Sequence, residues 1–157
     1  MRKIRNPFLQ SENYQCFGCS PRNACGLQME FFEDGDEVIS MWHPKNHLQG
    51  YGSVLHGGVQ ATAMDELASW AVFLKLKTAG VTSRLDVVYH KPVYTHRGEI
   101  TLRASVQGVE ENRATSAVRL FDAEGGLCSE ATVVYFTFPP RLARKRLYYP
   151  GYDAFFE

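Results

Sequence analysis

Apolar and polar positions alternate with a period of two over most of this chain, interrupted once by a stretch with helical spacing. Leu27, Met29 and Phe31 alternate with Gln28, Glu30 and Phe32, which predicts a strand over residues 27–32. Asp34-Gly35-Asp36 supplies a tight turn, its glycine suited to a positive φ. Val38, Ser40 and Trp42 then alternate with Ile39, Met41 and His43 in the returning strand of a hairpin. Turn formers fill residues 44–53. Residues 59–77 carry the helical pattern: Ala61, Met64, Leu67, Ala68, Ala71, Val72 and Leu74 fit its spacing, and Trp70 and Phe73 widen the apolar surface. A helix apolar around most of its circumference is a buried one. Gly80, after Thr78-Ala79, predicts its C-terminal stop. Four further strands follow, over residues 82–89, 99–107, 113–122 and 129–138. Glu124-Gly125-Gly126 makes a hairpin turn, and Pro139-Pro140 ends the sheet.

Two strands, one buried helix and four strands joined by short turns make an α+β order, not the alternation that builds a parallel sheet. One helix cannot cover both faces of a flat six-stranded sheet. The economical packing is a curved antiparallel sheet of about six strands wrapped around one long central helix. Residues 1–26 form a cysteine-containing N-terminal loop, residues 27–140 the domain, and residues 141–157 a basic and aromatic tail. That tail is a solvated extension or is packed on its own domain. Its alternative use is contact with a phosphate-bearing ligand or a partner subunit, through Arg141, Arg144, Lys145 and Arg146 and the aromatic residues beyond them.

A chain of 157 residues suits one domain and is long enough to bury a core without crosslinks. With 45% hydrophobic and 22% charged residues, its composition is that of a folded protein, which excludes disorder as its main state. Seventeen basic residues balance seventeen acidic ones. A duplex-binding module normally carries a basic excess, so nucleic acid is not an expected partner. No apolar run approaches the ~20 residues of a membrane span, and no apolar segment follows the basic start Met1-Arg2-Lys3-Ile4-Arg5. We therefore expect a cytoplasmic protein without membrane contact. In that compartment Cys16, Cys19, Cys25 and Cys128 are expected as free thiols. Cys16-x-x-Cys19 followed by Cys25 invites a zinc reading, but structural zinc wants four ligands, and the fourth would have to be His43 or His47. Loop thiols without metal are the expectation.

The candidate chemistry gathers around the start of the helix. Residues 49–58 spell Gln49-Gly50-Tyr51-Gly52-Ser53-Val54-Leu55-His56-Gly57-Gly58. Paired glycines at a helix N-terminus allow close backbone approach and leave amide hydrogens unpaired, where the helix dipole favours negative charge. Nine residues beyond His56, Asp65 places a carboxylate on an otherwise apolar helix, which is costly without a partner. Neighbouring Glu66 points about 100° away, so only one of the two serves a given site. Periodicity favours Asp65, on the side of Ala61 and Ala68.

The string Leu55-His56-Gly57-Gly58-Val59-Gln60-Ala61-Thr62-Ala63-Met64-Asp65-Glu66 resembles the signature of hotdog-fold acyl-CoA thioesterases, specifically their PaaI-like branch. Residues 16–27, from Cys16-Phe17-Gly18-Cys19 to Gly26-Leu27, resemble the cysteine-rich start of many members. Residues 82–93 match the strand after the helix, so the likeness runs from about Cys16 to Pro139.

The resemblance implies roles. The Gly57 amide polarises the thioester carbonyl, and Asp65 of the other subunit of a dimer acts as general base or nucleophile. Thr82 helps hold the water, and His56 shapes the loop and contacts the substrate. Gly58 and Gln49 belong to the substrate loop; Gln49 precedes Gly50, which stands where some relatives carry an assisting asparagine. Lys91, Arg97 and Arg113 are candidates to meet the phosphates of coenzyme A. No metal and no cofactor is expected beyond the coenzyme A of the acyl-CoA substrate, and the assembly is a homodimer or a dimer of dimers. The implied chemistry is physically sufficient: one preorganised backbone donor contributes about 3–4 kcal/mol to a tetrahedral oxyanion, and a positioned base typically ~10²–10⁴-fold. No Gly-x-Ser-x-Gly elbow occurs in the chain. The alternatives are a non-catalytic acyl-CoA-binding hotdog protein, a hotdog dehydratase with a His–carboxylate pair, and a zinc-stabilised interaction module on the cysteine loop.

Overall fold

The computed structural model describes residues 1–156. Its strands are β1 (Arg2–Ile4), β2 (Phe31–Asp34), β3 (Glu37–Trp42), β4 (Gly80–Tyr89), β5 (Ile100–Glu110), β6 (Arg113–Phe121) and β7 (Leu127–Thr137). Helix α1 (Gly57–Ala71) precedes β4 and helix α2 (Pro140–Leu147) follows β7. All seven strands join one antiparallel sheet in the order β1-β2-β3-β5-β6-β7-β4. Helix α1 packs against β3, β4, β5, β6 and β7.

The expected six strands become seven because β1 adds itself outside β2, pairing Ile4 with Phe31. Three residues with one apolar side chain leave no readable alternation. Residues 27–30 are not strand, although Leu27 and Met29 are buried as their alternation implied. Their amides bond instead to Phe17 and Gly18 of the cysteine loop, and Gln28 adopts a positive φ of 55° that breaks the extended run. The 34–36 turn forms as expected, with Gly35 at φ 59°.

The helix begins two residues earlier than its apolar period and ends by a different device. After Ala71 the chain widens into a π-turn over Val72–Leu76, and Lys77 takes the left-handed conformation that stops it. Gly80 is not that stop. It opens β4, where a Cβ would collide with the carbonyl oxygen of Phe136, so the glycine permits close strand approach. Ala63, Met64, Leu67, Ala68, Trp70 and Ala71 are all buried. Each large one contributes about 1.5–3 kcal/mol by leaving water.

The apolar surface opposite the sheet is covered by the two ends of the chain. Phe155 stacks on Phe73 and meets Trp70 and Phe8 edge-on, while the Tyr149 hydroxyl donates to the Phe73 carbonyl. Of the two uses open to the tail, Tyr149 and Phe155 serve the domain itself, whereas Tyr148, Arg141, Arg144, Lys145 and Arg146 stay exposed. Among the described residues no helix is long and apolar enough to cross a membrane.

Candidate active site

His56 is the N-cap of α1, and its Nδ1 accepts the Gly58 amide at 2.9 Å. An accepting Nδ1 puts the proton of the neutral ring on Nε2. The ring is thereby a cap, and the Gly58 amide is spent on it. Among the described residues no hydrogen bond is drawn from the Gly57 amide, while the Gly57 carbonyl accepts the Tyr89 hydroxyl at 2.5 Å. Among the described residues the Gly57 amide is therefore an open donor at this helix end, with the dipole behind it.

The preceding loop is tied down from within the core. Gln60, buried on the first turn of α1, donates from Nε2 to the Leu55 carbonyl at 3.2 Å and accepts the Ser129 hydroxyl at 2.9 Å. Gln49 is exposed, with its backbone bridged to Leu55.

Asp65 lies two turns along the same helix. Thr82 on β4 donates to its Oδ1 at 2.8 Å, and Tyr135 on β7 donates to the same oxygen at 2.9 Å. Among the described residues Oδ2 takes no hydrogen bond, and it is not sealed from solvent. A carboxylate anchored through one oxygen and open at the other can accept a proton from water. Thr82 reaches Asp65 because of a bulge. The β4–β7 register slips between Thr82 and Arg84, so Thr82 pairs with inward-facing Tyr135 while Leu85 still pairs with Val133. Without the extra residue Thr82 would face away from the helix. Burial raises the Tyr135 hydroxyl above its usual pKa, with the Asp65 charge adding to it, so it remains a donor.

Glu66 goes elsewhere, to the cysteine loop. Cys16 Sγ stands 3.5 and 3.6 Å from its two carboxylate oxygens, and Trp70 Nε1 donates to Oε1 at 3.1 Å. Burial, followed by the Cys16 sulfur, pushes the Glu66 carboxyl up to about 7. Cys16 itself is lowered to about 5, chiefly by the hydrogen bond from Cys19. Cys16, Cys19, Cys25 and Cys128 are all free thiols. Glu66 and Cys16 line a cavity of about 540 Å³ with Phe8, Tyr14, Ser69 and Phe73, a volume suited to a small-molecule ligand. Ser69 is one helical turn beyond Asp65, so the cavity continues the face that carries the carboxylate.

Two of the three candidate cations lie together and the third lies apart. Lys91 is paired with Asp122 at 2.5 Å, and Arg97 lies over the Tyr94 ring at 4.1 Å. Both line a smaller cavity of about 170 Å³. Arg113 is exposed at the start of β6, opposite Phe136 and the opening residues of β4. His43 is exposed beside Glu99 at 3.5 Å, and His47 is exposed in the following loop.

The model of the thioesterase superfamily matches residues 52–129, from the loop before His56 into β7. A solved thioesterase superfamily protein superposes with a TM-score of 0.69 at 25% identity, over 74% of this chain and 57% of that one. This chain has the hotdog fold, and its central stretch matches the thioesterase superfamily. A hypothetical thioesterase protein from Streptococcus pneumoniae, solved with coenzyme A, shares the fold at TM-score 0.66 and 21% identity. That likeness covers 71% of this chain and 87% of the other. An uncharacterised protein of Schizosaccharomyces pombe is 30% identical over 114 residues, which are 70% of this chain and 65% of that relative's length.

Of the site residues named from the sequence, the structure brings Thr82 to Asp65 and His56 to the glycine pair at the helix start; Tyr135 and Gln60, which were not among them, join these two groups. A tyrosine inside an alternating strand and a glutamine on an apolar helix read as packing and capping residues. The available signal was only that each is polar at a position whose period points inward.

Proposed function

We propose that this hotdog protein is an acyl-CoA thioesterase of the PaaI-like type, hydrolysing a thioester to a carboxylate and free coenzyme A. The observation that carries the reading is the Asp65 carboxylate, held by two hydroxyls on Oδ1 and open at Oδ2, on the helix whose first amide is unpaired. Asp65 takes a proton from water as the water attacks, or attacks the carbonyl itself. The Gly57 amide receives the oxyanion that develops. Thr82 and Tyr135 fix the carboxylate, and His56 holds the turn that presents the amide.

Gly57 and Asp65 cannot serve one carbonyl from the same chain. Eight residues of helix at about 1.5 Å rise separate them by roughly 12 Å along the axis. A second copy resolves this distance, since each site then takes Gly57 from one protomer and Asp65 from the other. Strand β4 is the longer of the two edge strands of the sheet and carries exposed Val81, Val88 and Tyr89. An open edge of ten residues is a natural seat for an identical strand. The assembly is a homodimer or a dimer of such dimers. The acyl group occupies the cavity beside Ser69 and Phe73, and the phosphates of coenzyme A fall to Lys91, Arg97 or Arg113. The hydrolytic step uses no metal and no cofactor.

Release of free thiol from a panel of short, long and aromatic acyl-CoAs tests the reading. Turnover of at least one member is expected. Tight binding of acyl-CoA without turnover would instead establish a binding protein of the same fold.

A further inference from the structure

Hydrolysis leaves unused the cluster where the cysteine loop meets α1. Cys16 and Cys19 bracket a turn closed by the Ser20 amide on the Cys16 carbonyl at 3.0 Å. Glu66 arrives from the helix, and the ligand atoms of Cys16, Cys19 and Glu66 all lie within 4.8 Å of one another.

One edge of this triangle, from sulfur to carboxylate, has the length of an edge in a coordination sphere. Zinc bonds of about 2.3 Å to sulfur and 2.0–2.2 Å to oxygen, at a tetrahedral angle, set the sulfur–oxygen edge at about 3.5 Å. Cys16 Sγ and the Glu66 oxygens stand at 3.5 and 3.6 Å. Glu66 and Cys19 each also have a partner that orients them, as metal ligands require. Trp70 Nε1 donates to Glu66 Oε1 at 3.1 Å, and the Tyr14 hydroxyl lies 3.0 Å from Cys19 Sγ. Gly18 makes room for the carboxylate, because a Cβ there would overlap Glu66 at 2.5 Å.

We propose that Cys16, Cys19 and Glu66 are a three-ligand site for a divalent cation of the zinc class, with its fourth position open to the 540 Å³ cavity. Two thiolates and one carboxylate select a borderline-soft ion over magnesium or calcium. Three protein ligands with an open position leave room for water or an oxygen of a bound ligand. This departs from the expectation of metal-free thiols. The sequence offered His43 or His47 to complete the set; the fold supplies Glu66, 47 residues beyond Cys19 in the chain. The site stands on the loop and the helix, whether or not the cavity takes an acyl group.

The test uses full-length protein purified under reducing conditions without chelator, with zinc measured by elemental analysis and cobalt(II) then exchanged into the site. One zinc per chain and a near-ultraviolet thiolate-to-cobalt charge-transfer band are expected. Cys16→Ser and Cys19→Ser should weaken that band, and Glu66→Gln should lower zinc affinity on the order of 10–100-fold or more. Should a cysteine variant fail to fold, the wild-type cobalt spectrum and the Glu66→Gln affinity still decide. Folded, reduced wild-type protein that takes up neither zinc nor cobalt at micromolar concentration overturns the proposal. So does a Glu66→Gln variant with unchanged zinc affinity.

Discussion

Tyr135 donates its hydroxyl to Asp65 Oδ1 at 2.9 Å and to the main-chain oxygen of the same residue at 3.0 Å. One side chain from β7 thus fixes both the carboxylate and the helix turn that bears it. Thr82 completes the grip from β4 at 2.8 Å. Tyr135→Phe removes both of the tyrosine's hydrogen bonds while keeping the ring. We expect a loss of about 1–2 kcal/mol in stability and a fall in kcat on the order of 10-fold, from a carboxylate no longer held in place. Thr82→Val should lower kcat similarly. Denaturant unfolding and steady-state kinetics separate the two effects, and full turnover in both variants would remove these residues from the site.

Replacing Asp65 by Asn keeps the side chain's volume and its acceptor for Thr82 and Tyr135, but removes the ionised oxygen. The fold should survive. We expect kcat to drop on the order of 10²-fold or more with KM little changed, because the lost interaction belongs to the transition state. Near-wild-type turnover on the best acyl-CoA would show that Asp65 is only a structural partner of β4 and β7.

Gly57→Ala probes the other half of the site. The added Cβ would meet the Tyr89 ring at 3.4 Å, an ordinary contact, so folding should persist while the amide is crowded and kcat/KM falls. The informative experiment mixes this variant with Asp65→Asn. If each site joins Gly57 of one protomer to Asp65 of its partner, a mixed dimer regains one intact site. Co-refolding equal amounts should restore roughly a quarter of wild-type activity. No gain over the separate variants would place both groups in one chain's site.

The C-terminal tail carries a stability prediction. Phe155 is 0% exposed, packed among Trp70, Phe73 and Phe8. Phe155→Ala should cost about 3–5 kcal/mol by cavity formation, read as a lowered melting temperature. A variant as stable as wild type would mean that the tail is not part of the cooperative unit.

Much of this architecture is written in local pattern. Periodicity placed β3 to β7 to within a few residues, because each has one buried and one exposed face and the side-chain repeat is short. The central helix was legible for the opposite reason: it is apolar nearly all round, and both chain ends and the sheet consume that surface. Gly57 and Asp65 were also legible, one as a glycine pair at a helix start, the other as a lone carboxylate at an apolar helical position.

Tertiary structure decided what local pattern cannot encode. Strict alternation puts Thr82 on the face opposite Leu85; the bulge between Thr82 and Arg84 turns it inward to Asp65. Tyr135 and Asp65 are 70 residues apart in sequence and meet only because β7 lies beside β4 under the helix. Cys16 and Glu66, separated by 50 residues, are brought together by a loop that bonds to residues 27–29 instead of to solvent. Period and composition report which face a residue presents. Which groups share that face across distant segments is settled by strand order, register and loop docking, and these exist only once the chain has folded.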